Sequence, residues 1–124
     1  MVRLARGSIE IQLAEILNNY TEEVIEVLEE SAAEVANEAA EELKRSSPQR
    51  YGKYAKGWRA KRETNRKGAS YIVHNPKHYR LTHLLEKGHA KANGGRTRAQ
   101  SHIQPAEQKA ITEYEKKIRG VLGQ

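Results

Sequence analysis

The feature that most constrains this chain is an apolar stripe in its first third. Leu13, Ile16, Leu17, Tyr20, Val24, Val27, Leu28, Ala32, Val35, Ala39 and Leu43 recur at intervals of one, three and four residues, the spacing that places side chains on one face of an α-helix. Glu22, Glu23, Glu26, Glu29, Glu30, Glu34, Glu38, Glu41 and Glu42 fill much of the remaining surface. Such a helix must lay one face on a core and turn the other to water. Its alanines raise helix propensity. Lys44 and Arg45 stand at the negative end of the helix dipole, and Ser46-Ser47-Pro48 stops it. The sequence predicts a long helix from about residue 10 or 12 to 46. Asn18 and Asn19 are the point at which it can break and, with Thr21 and Glu22 behind them, cap a second helix. Residues 1–8 are expected to be flexible. Toward its end the stripe narrows to Ala32, Ala36, Ala39 and Ala40, small side chains against which a sheet or a neighbouring subunit can approach closely.

The rest of the chain supplies what the helix packs on. QRYGKYAKGW, with two Gly and two Tyr, reads as an extended loop entering a strand. Trp58, Ala60 and Arg62 alternate with Arg59, Lys61 and Glu63; residues 65–68 form a turn; and residues 69–74 resume with Tyr71 and Val73 on one face and Ile72 on the other. This is the pattern of a β-hairpin, ended by Asn75-Pro76 because proline cannot donate to the ladder. In residues 79–87, Leu81, Leu84 and Leu85 suit a helical turn, whereas Tyr79, Leu81 and His83 suit a strand; the helix is the preferred reading. Gly88 ends it, and residues 88–102 form an exposed basic loop. Pro105 opens a second helix to about Gly120, with Ala106, Ala110, Ile111, Tyr114 and Ile118 on its inner face. The expected fold is a single α+β domain over residues 1–124: a long N-terminal amphipathic helix packed on a small antiparallel β-sheet, with a C-terminal helix. Leu28, Val35, Leu43, Trp58, Tyr71, Leu84, Leu85 and Ile103 are its expected packing residues.

That core is thin. Only 37% of the 124 residues are hydrophobic and Phe is absent, so an isolated copy has little apolar surface to bury, and assembly with other copies is the expected remedy. Without Cys, disulfide scaffolds, thiolate zinc sites and Cys nucleophiles are all excluded. No run approaches the roughly 20 apolar residues of a membrane span, and MVRLARGSIEIQL lacks a continuous apolar segment of signal-peptide length. A soluble, unprocessed protein is expected, with no membrane partner.

Charge is segregated. Residues 10–45 hold eleven Glu against Lys44 and Arg45, whereas residues 47–103 hold fourteen Lys and Arg against Glu63 and Glu86. One reading is that the basic half tracks phosphates, with Tyr51, Tyr54 and Trp58 stacking on bases, which would make the chain a small nucleic-acid-binding protein using residues 50–100. The other, preferred here, is that an acidic helix packs beside, or across a subunit boundary from, a basic sheet, and that Trp58 is the main core aromatic. Arg50, Lys53, Lys56, Lys91, Arg96 and Arg98 are the candidate partner contacts.

Sequence evidence for chemistry is weak. His83, Glu86 and His89, with His102 across the loop, are the tightest set of potential ligands, but zinc hydrolase helices need two His four apart with Glu between them, and this spacing matches no common structural zinc site either. A nuclease would use His with Lys or Arg on the phosphate, yet nothing in the spacing fixes their geometry, and Asp is wholly absent, leaving magnesium only scattered Glu. Gly94-Gly95 lacks the Lys-Ser/Thr ending of a phosphate-binding loop. No catalytic residue, metal or cofactor is expected.

Taken in order, a long helix ending in ELKRSSPQRYGKYAKGW, a hairpin, YRLTHLLEKGHAKANGGR and SHIQPAEQKA at the start of a last helix resemble the minor structural family of siphophages that joins tail to head, known as tail-component or tail-completion proteins. The resemblance spans about residues 20–120. Ser47-Pro48 followed by Gly52 and Gly57-Trp58, then Leu84-Leu85-Glu86-Lys87-Gly88-His89, then His102-Ile103 before Pro105-Ala106 carry it. It implies a non-enzymatic virion subunit, made in the host cytoplasm and assembled as a homo-oligomeric ring at the neck or upper tail. Its implied partners are a head connector above and tail-tube or tail-terminator proteins below, with incidental contact to phage DNA. No catalytic residue comes with it.

Overall fold

The computed structural model describes residues 2–5, 8–12, 21–49, 52–65, 68–88, 94–96 and 98–121. The elements run β1 (Val2–Ala5), β2 (Ser8–Gln12), α1 (Glu22–Ser46), α2 (Gly52–Lys56), β3 (Arg59–Asn65), β4 (Gly68–His74), α3 (Tyr79–Lys87) and α4 (Ile103–Val121). The strands form one antiparallel sheet in the order β1-β2-β4-β3. Long helices on one side of an antiparallel sheet make an α+β architecture.

Why α1 begins and ends where it does is local chemistry. The Thr21 hydroxyl accepts the Val24 N–H at 3.4 Å, and Glu22 and Glu23 occupy the positive first turn. Lys44 and Arg45 occupy the last turn, bonded to Glu41 and Glu42 at 3.1 and 2.8 Å. Ser47 closes the helix by donating both its N–H (2.9 Å) and its hydroxyl (2.5 Å) to the Leu43 carbonyl.

The N-terminus departs from expectation. Residues 8–12 are a strand rather than the start of a long helix, and residues 2–5 pair with them instead of hanging free. The stripe read from Leu13 to Tyr20 lies outside the described residues, as do Asn18 and Asn19; the cap of α1 is Thr21. SIEIQ alternates with a period of two, and its register sets Ile9 opposite Val73 and Ile11 opposite Tyr71. Both isoleucines are fully buried. At about 1.5–3 kcal/mol for each such side chain, their burial joins the ladder bonds to β4 in ordering a segment that composition alone leaves open.

α1 lies over β3 and β4, and α4 over β1 and β2. Between helices and sheet sit Ile9, Ile11, Val73, Val35, Leu43 and Tyr114. The two helices run antiparallel along a seam of Ala32, Ala36, Ala39 and Ala40 on α1 against Ala106 and Ala110 on α4, all buried. The narrow stripe of α1 therefore receives α4. Lys117 to Glu34 (2.8 Å) and Lys109 to Glu42 (3.8 Å) bridge the helices at the rim. Arg62, on the helix-facing side of β3, is bonded to Glu29 of α1, so part of the acidic-helix and basic-strand complementarity is satisfied within one chain. The other face of the sheet carries Arg59, Lys61, Glu63, Ile72 and His74, with Lys61 paired to Glu63 at 2.9 Å.

Two further readings are corrected. Residues 52–56 form a short helix rather than an extended loop, because Tyr54 and Ala55 must both turn inward, which an alternating strand does not allow. Leu84, expected to pack in the core, falls instead on the outer side of the helix that residues 79–87 form as preferred, 43% exposed, while its neighbour Leu85 is buried at 6%.

Candidate functional site

The three segments that carry the family resemblance are far apart in sequence, and the fold brings them to one place, where the end of α1, the short α2, the end of α3 and the start of α4 meet. Trp58 is fully buried and donates its indole N–H to the Ser47 hydroxyl at 2.9 Å. Tyr54 stands edge-on to Trp58 (centroids 5.7 Å apart) and to His102 (5.6 Å), the geometry aromatic quadrupoles favour. The Tyr54 hydroxyl bridges Thr82 Oγ1 at 3.1 Å and His102 Nε2 at 2.6 Å. Burial pushes the Tyr54 phenol up to about 12, so it stays protonated.

His102 is only 2% exposed, and its Nδ1 faces two acceptors, the Gln100 carbonyl at 2.8 Å and Glu86 Oε1 at 3.2 Å. Nδ1 therefore carries a proton and donates. Nε2 meets a hydroxyl, which can give or take a proton, so the Tyr54–His102–Thr82 trio is satisfied in either arrangement.

Glu86 reaches from α3 to the first turn of α4. Its Oε1 accepts the N–H groups of His102 (2.8 Å) and Ile103 (3.0 Å), and its Oε2 accepts the Gln104 N–H (3.1 Å) and the Ser101 hydroxyl (2.8 Å). A carboxylate from one helix thus caps the N-terminus of another, where free N–H groups and the dipole favour negative charge. Burial works to raise its pKa, but the bonds from His102, Ile103, Ser101 and Gln104 outweigh it and hold the carboxyl below its ordinary value. The same region clamps the basic loop at both ends. Gly88 ends α3 with φ 74°, the Gln100 N–H donates to the Leu85 carbonyl at 2.6 Å, and Arg96 reaches the Gly88 carbonyl at 3.4 Å.

Asn75 completes the cluster. It is 2% exposed and donates from Nδ2 to the Tyr54 carbonyl at 2.7 Å, which also accepts the Gly57 N–H at 3.0 Å. A Cβ on Gly57 would lie 2.6 Å from Asn75 Oδ1, so the glycine before Trp58 is required by the asparagine packed on it.

The candidate partner contacts behave differently. Lys53 and Lys56 are exposed on α2, and Arg96 and Arg98 are exposed in the loop after Gly94 and Gly95, whose φ angles of 96° and 76° are left-handed. Arg50 and Lys91 lie outside the described residues. Among the expected packing residues, Leu28, Val35, Leu43, Trp58, Leu85 and Ile103 are buried, Tyr71 packs half-buried against the core, and Leu84 faces out. Of the His set, His89 and the side chain of His83 lie outside the described residues, while Glu86 and His102 are engaged in capping. Among the described residues no group of three His, Cys, Asp or Glu is placed to hold a metal ion. Tyr54, Thr82 and Asn75 escape sequence reasoning because their partners are 21 to 48 residues away. The available signal was proximity, with Tyr54 four residues before Trp58 and Thr82 three before Leu85, whereas Asn75 offered none beyond ending the strand.

A family model described as "Bacteriophage HK97-gp10, putative tail-component" matches residues 11–88. The match takes in Ser47, Tyr54, Trp58, Asn75 and Glu86. No curated protein and no solved structure matches the chain.

Proposed function

The chain belongs to this family of phage tail components, and from that premise we propose that it is a non-catalytic ring subunit at the neck or upper tail tube, joining the head connector to the tail. The observation that carries this reading is the enclosure of the motif residues. Tyr54, Thr82, Glu86 and His102 bond to one another and to the first amides of α4. Groups so engaged hold a shape rather than meet a substrate. What the chain offers a partner is its surface, and that surface is electrically asymmetric.

In a ring each subunit turns one surface to the neighbour on its left and a different one to the neighbour on its right. An acidic helix on one side and basic segments on the other make such contacts complementary and disfavour wrong pairings. Cations turned to the lumen would lie near DNA passing through the neck, a secondary contact. The subunit is made in the host cytoplasm and resides in the virion; among the described residues no helix is long and apolar enough to cross a membrane.

Light scattering and negative-stain microscopy of the chain, alone and mixed with its phage's connector and tail-tube proteins, test this. Rings or a defined complex are expected. Monomer at all concentrations with no complex formed would refute it. A DNA-binding isotherm across salt concentrations, if tight and steep, would instead favour the nucleic-acid reading.

A further inference from the structure

α1 and α4 do not close completely along their outer seam. Between them runs a groove of about 420 Å³, within the range of sites that seat a ligand or a cluster of side chains. Its floor is small and apolar, formed by Val35, Ala39, Ala106 and Ala110, and its rim is acidic, with Glu38, Glu41, Glu42 and Glu113 against only Arg45 and Lys109. Those two cations are already engaged at the rim, both with Glu42, and Glu41 pairs with Lys44. Glu38 and Glu113 make no ion pair among the described residues; Lys117, whose charge both of them feel, is bonded to Glu34. The groove therefore asks for a cationic occupant whose apolar stem can lie along a floor of small residues.

The same chain displays one. Residues 94–101, GGRTRAQS, contain two arginines and no acid. Gly94 and Gly95 are left-handed, and Arg96 and Arg98 beyond them are both exposed. Arg98 has no hydrogen bond or ion pair among the described residues, and Arg96 has only the long contact to the Gly88 carbonyl. The clamp at Glu86 and Gln100 holds the end of this loop beside the start of α4.

We infer that the groove between α1 and α4 is the seat for the Arg96–Arg98 loop of the adjacent copy. The inference rests on the ring reading above and names its contact. Donor and acceptor surfaces are different patches of one chain, so the interaction is head to tail and propagates round a ring. Arginine suits the site, since its guanidinium forms forked bonds to carboxylates while its stem packs on alanine.

Charge reversal and crosslinking test it on whichever assembly forms, alone or with connector or tail-tube protein. Arg96→Glu with Arg98→Glu, and separately Glu38→Lys with Glu113→Lys, should each weaken association at least about tenfold, and wild-type association should weaken from about 0.05 to about 0.5 M salt. A chain carrying all four reversals should assemble again, which a folding defect would not allow. Because the chain lacks Cys, oxidation of Asn37→Cys chains mixed with Ala99→Cys chains reads the contact directly, and a covalent heterodimer is expected. Assembly that persists in both charge-reversed chains, with no such crosslink, overturns the seat and leaves the ring standing. A chain that stays monomeric and joins no complex overturns both.

Discussion

Removing the Glu86 carboxylate isolates the energy of one helix capping another. In Glu86→Ala, four hydrogen bonds are lost. Ser101 and Gln104 are exposed, so water takes over there at little cost. His102 and Ile103 are buried at 2% and 1%, and each N–H left without an acceptor costs about 1–3 kcal/mol. Loss of negative charge at a helix N-terminus adds about 0.3–1 kcal/mol. Some water reaches the half-buried amides, so the lower part of the range applies, about 3 kcal/mol. Glu86→Gln keeps one carbonyl oxygen for the same two N–H groups and should lose only about 1 kcal/mol, chiefly the charge contribution. Trp58, the single Trp, is buried within 6.3 Å of His102, so its fluorescence during urea unfolding at fixed protein concentration reports on this corner. Because the folded carboxyl titrates below its ordinary 4.5, the Glu86 contribution is complete above about pH 4.5 and is lost as pH falls through the folded value. The gap between wild type and Glu86→Gln should close in acid. Equal, negligible losses in both variants would show that the carboxylate does not hold α4.

Three other measurements probe the same structure. Gly57→Ala should destabilise by about 1–3 kcal/mol through its clash with Asn75, and a double-mutant cycle with Asn75→Ala should show coupling, since the second change removes the obstacle; additive effects would refute the contact. Leu85→Ala should cost about 2–4 kcal/mol and Leu84→Ala under about 1, an ordering that unfolding midpoints either show or reverse. Burial, with Lys61 nearby, holds the His74 imidazole below its ordinary 6.5. Its neutral form is thus favoured by folding, a contribution present above pH 6.5 and lost as pH falls through the folded value. An NMR titration midpoint at or above 6.5 for His74 would contradict its placement.

How far the sequence revealed this fold follows from the range of each interaction. α1 after Thr21, the β3–β4 hairpin and α4 were legible because their signals are local: a 3.6-residue stripe, alternation across a turn, proline at a first turn. The N-terminal hairpin was missed although Ile9 and Ile11 alternate, because the apolar spacing that follows at Leu13, Ile16 and Leu17 extended the helical reading backward over them. Residues 52–56 misled because two glycines suggest a loop, while the reason for the helix, Tyr54 meeting His102, lies 48 residues away. Glu86 and His102 stood out early as the residue types of a metal or acid–base site. Types alone cannot tell a ligand from a cap, since that depends on whether the carboxylate meets a cation or a row of amides.

The cap also gives the network a use in the proposed assembly. With few large apolar residues available, the chain fixes the junction of its helices with directional bonds, which specify position more sharply than nonspecific burial does. Glu86 grips the first turn of α4 through Ile103 and Gln104 and, through Ser101 and His102, the end of the loop that bears Arg96 and Arg98. α4 in turn forms one wall of the groove proposed to receive that loop from a neighbour. One carboxylate therefore sets the position of both halves of the proposed contact relative to each other. In a closed ring that relation fixes the rotation between subunits, so a small error at the cap accumulates at every interface. A thin apolar core leaves such errors uncorrected, and a hydrogen-bonded polar corner at the base of the loop is where they are most effectively prevented.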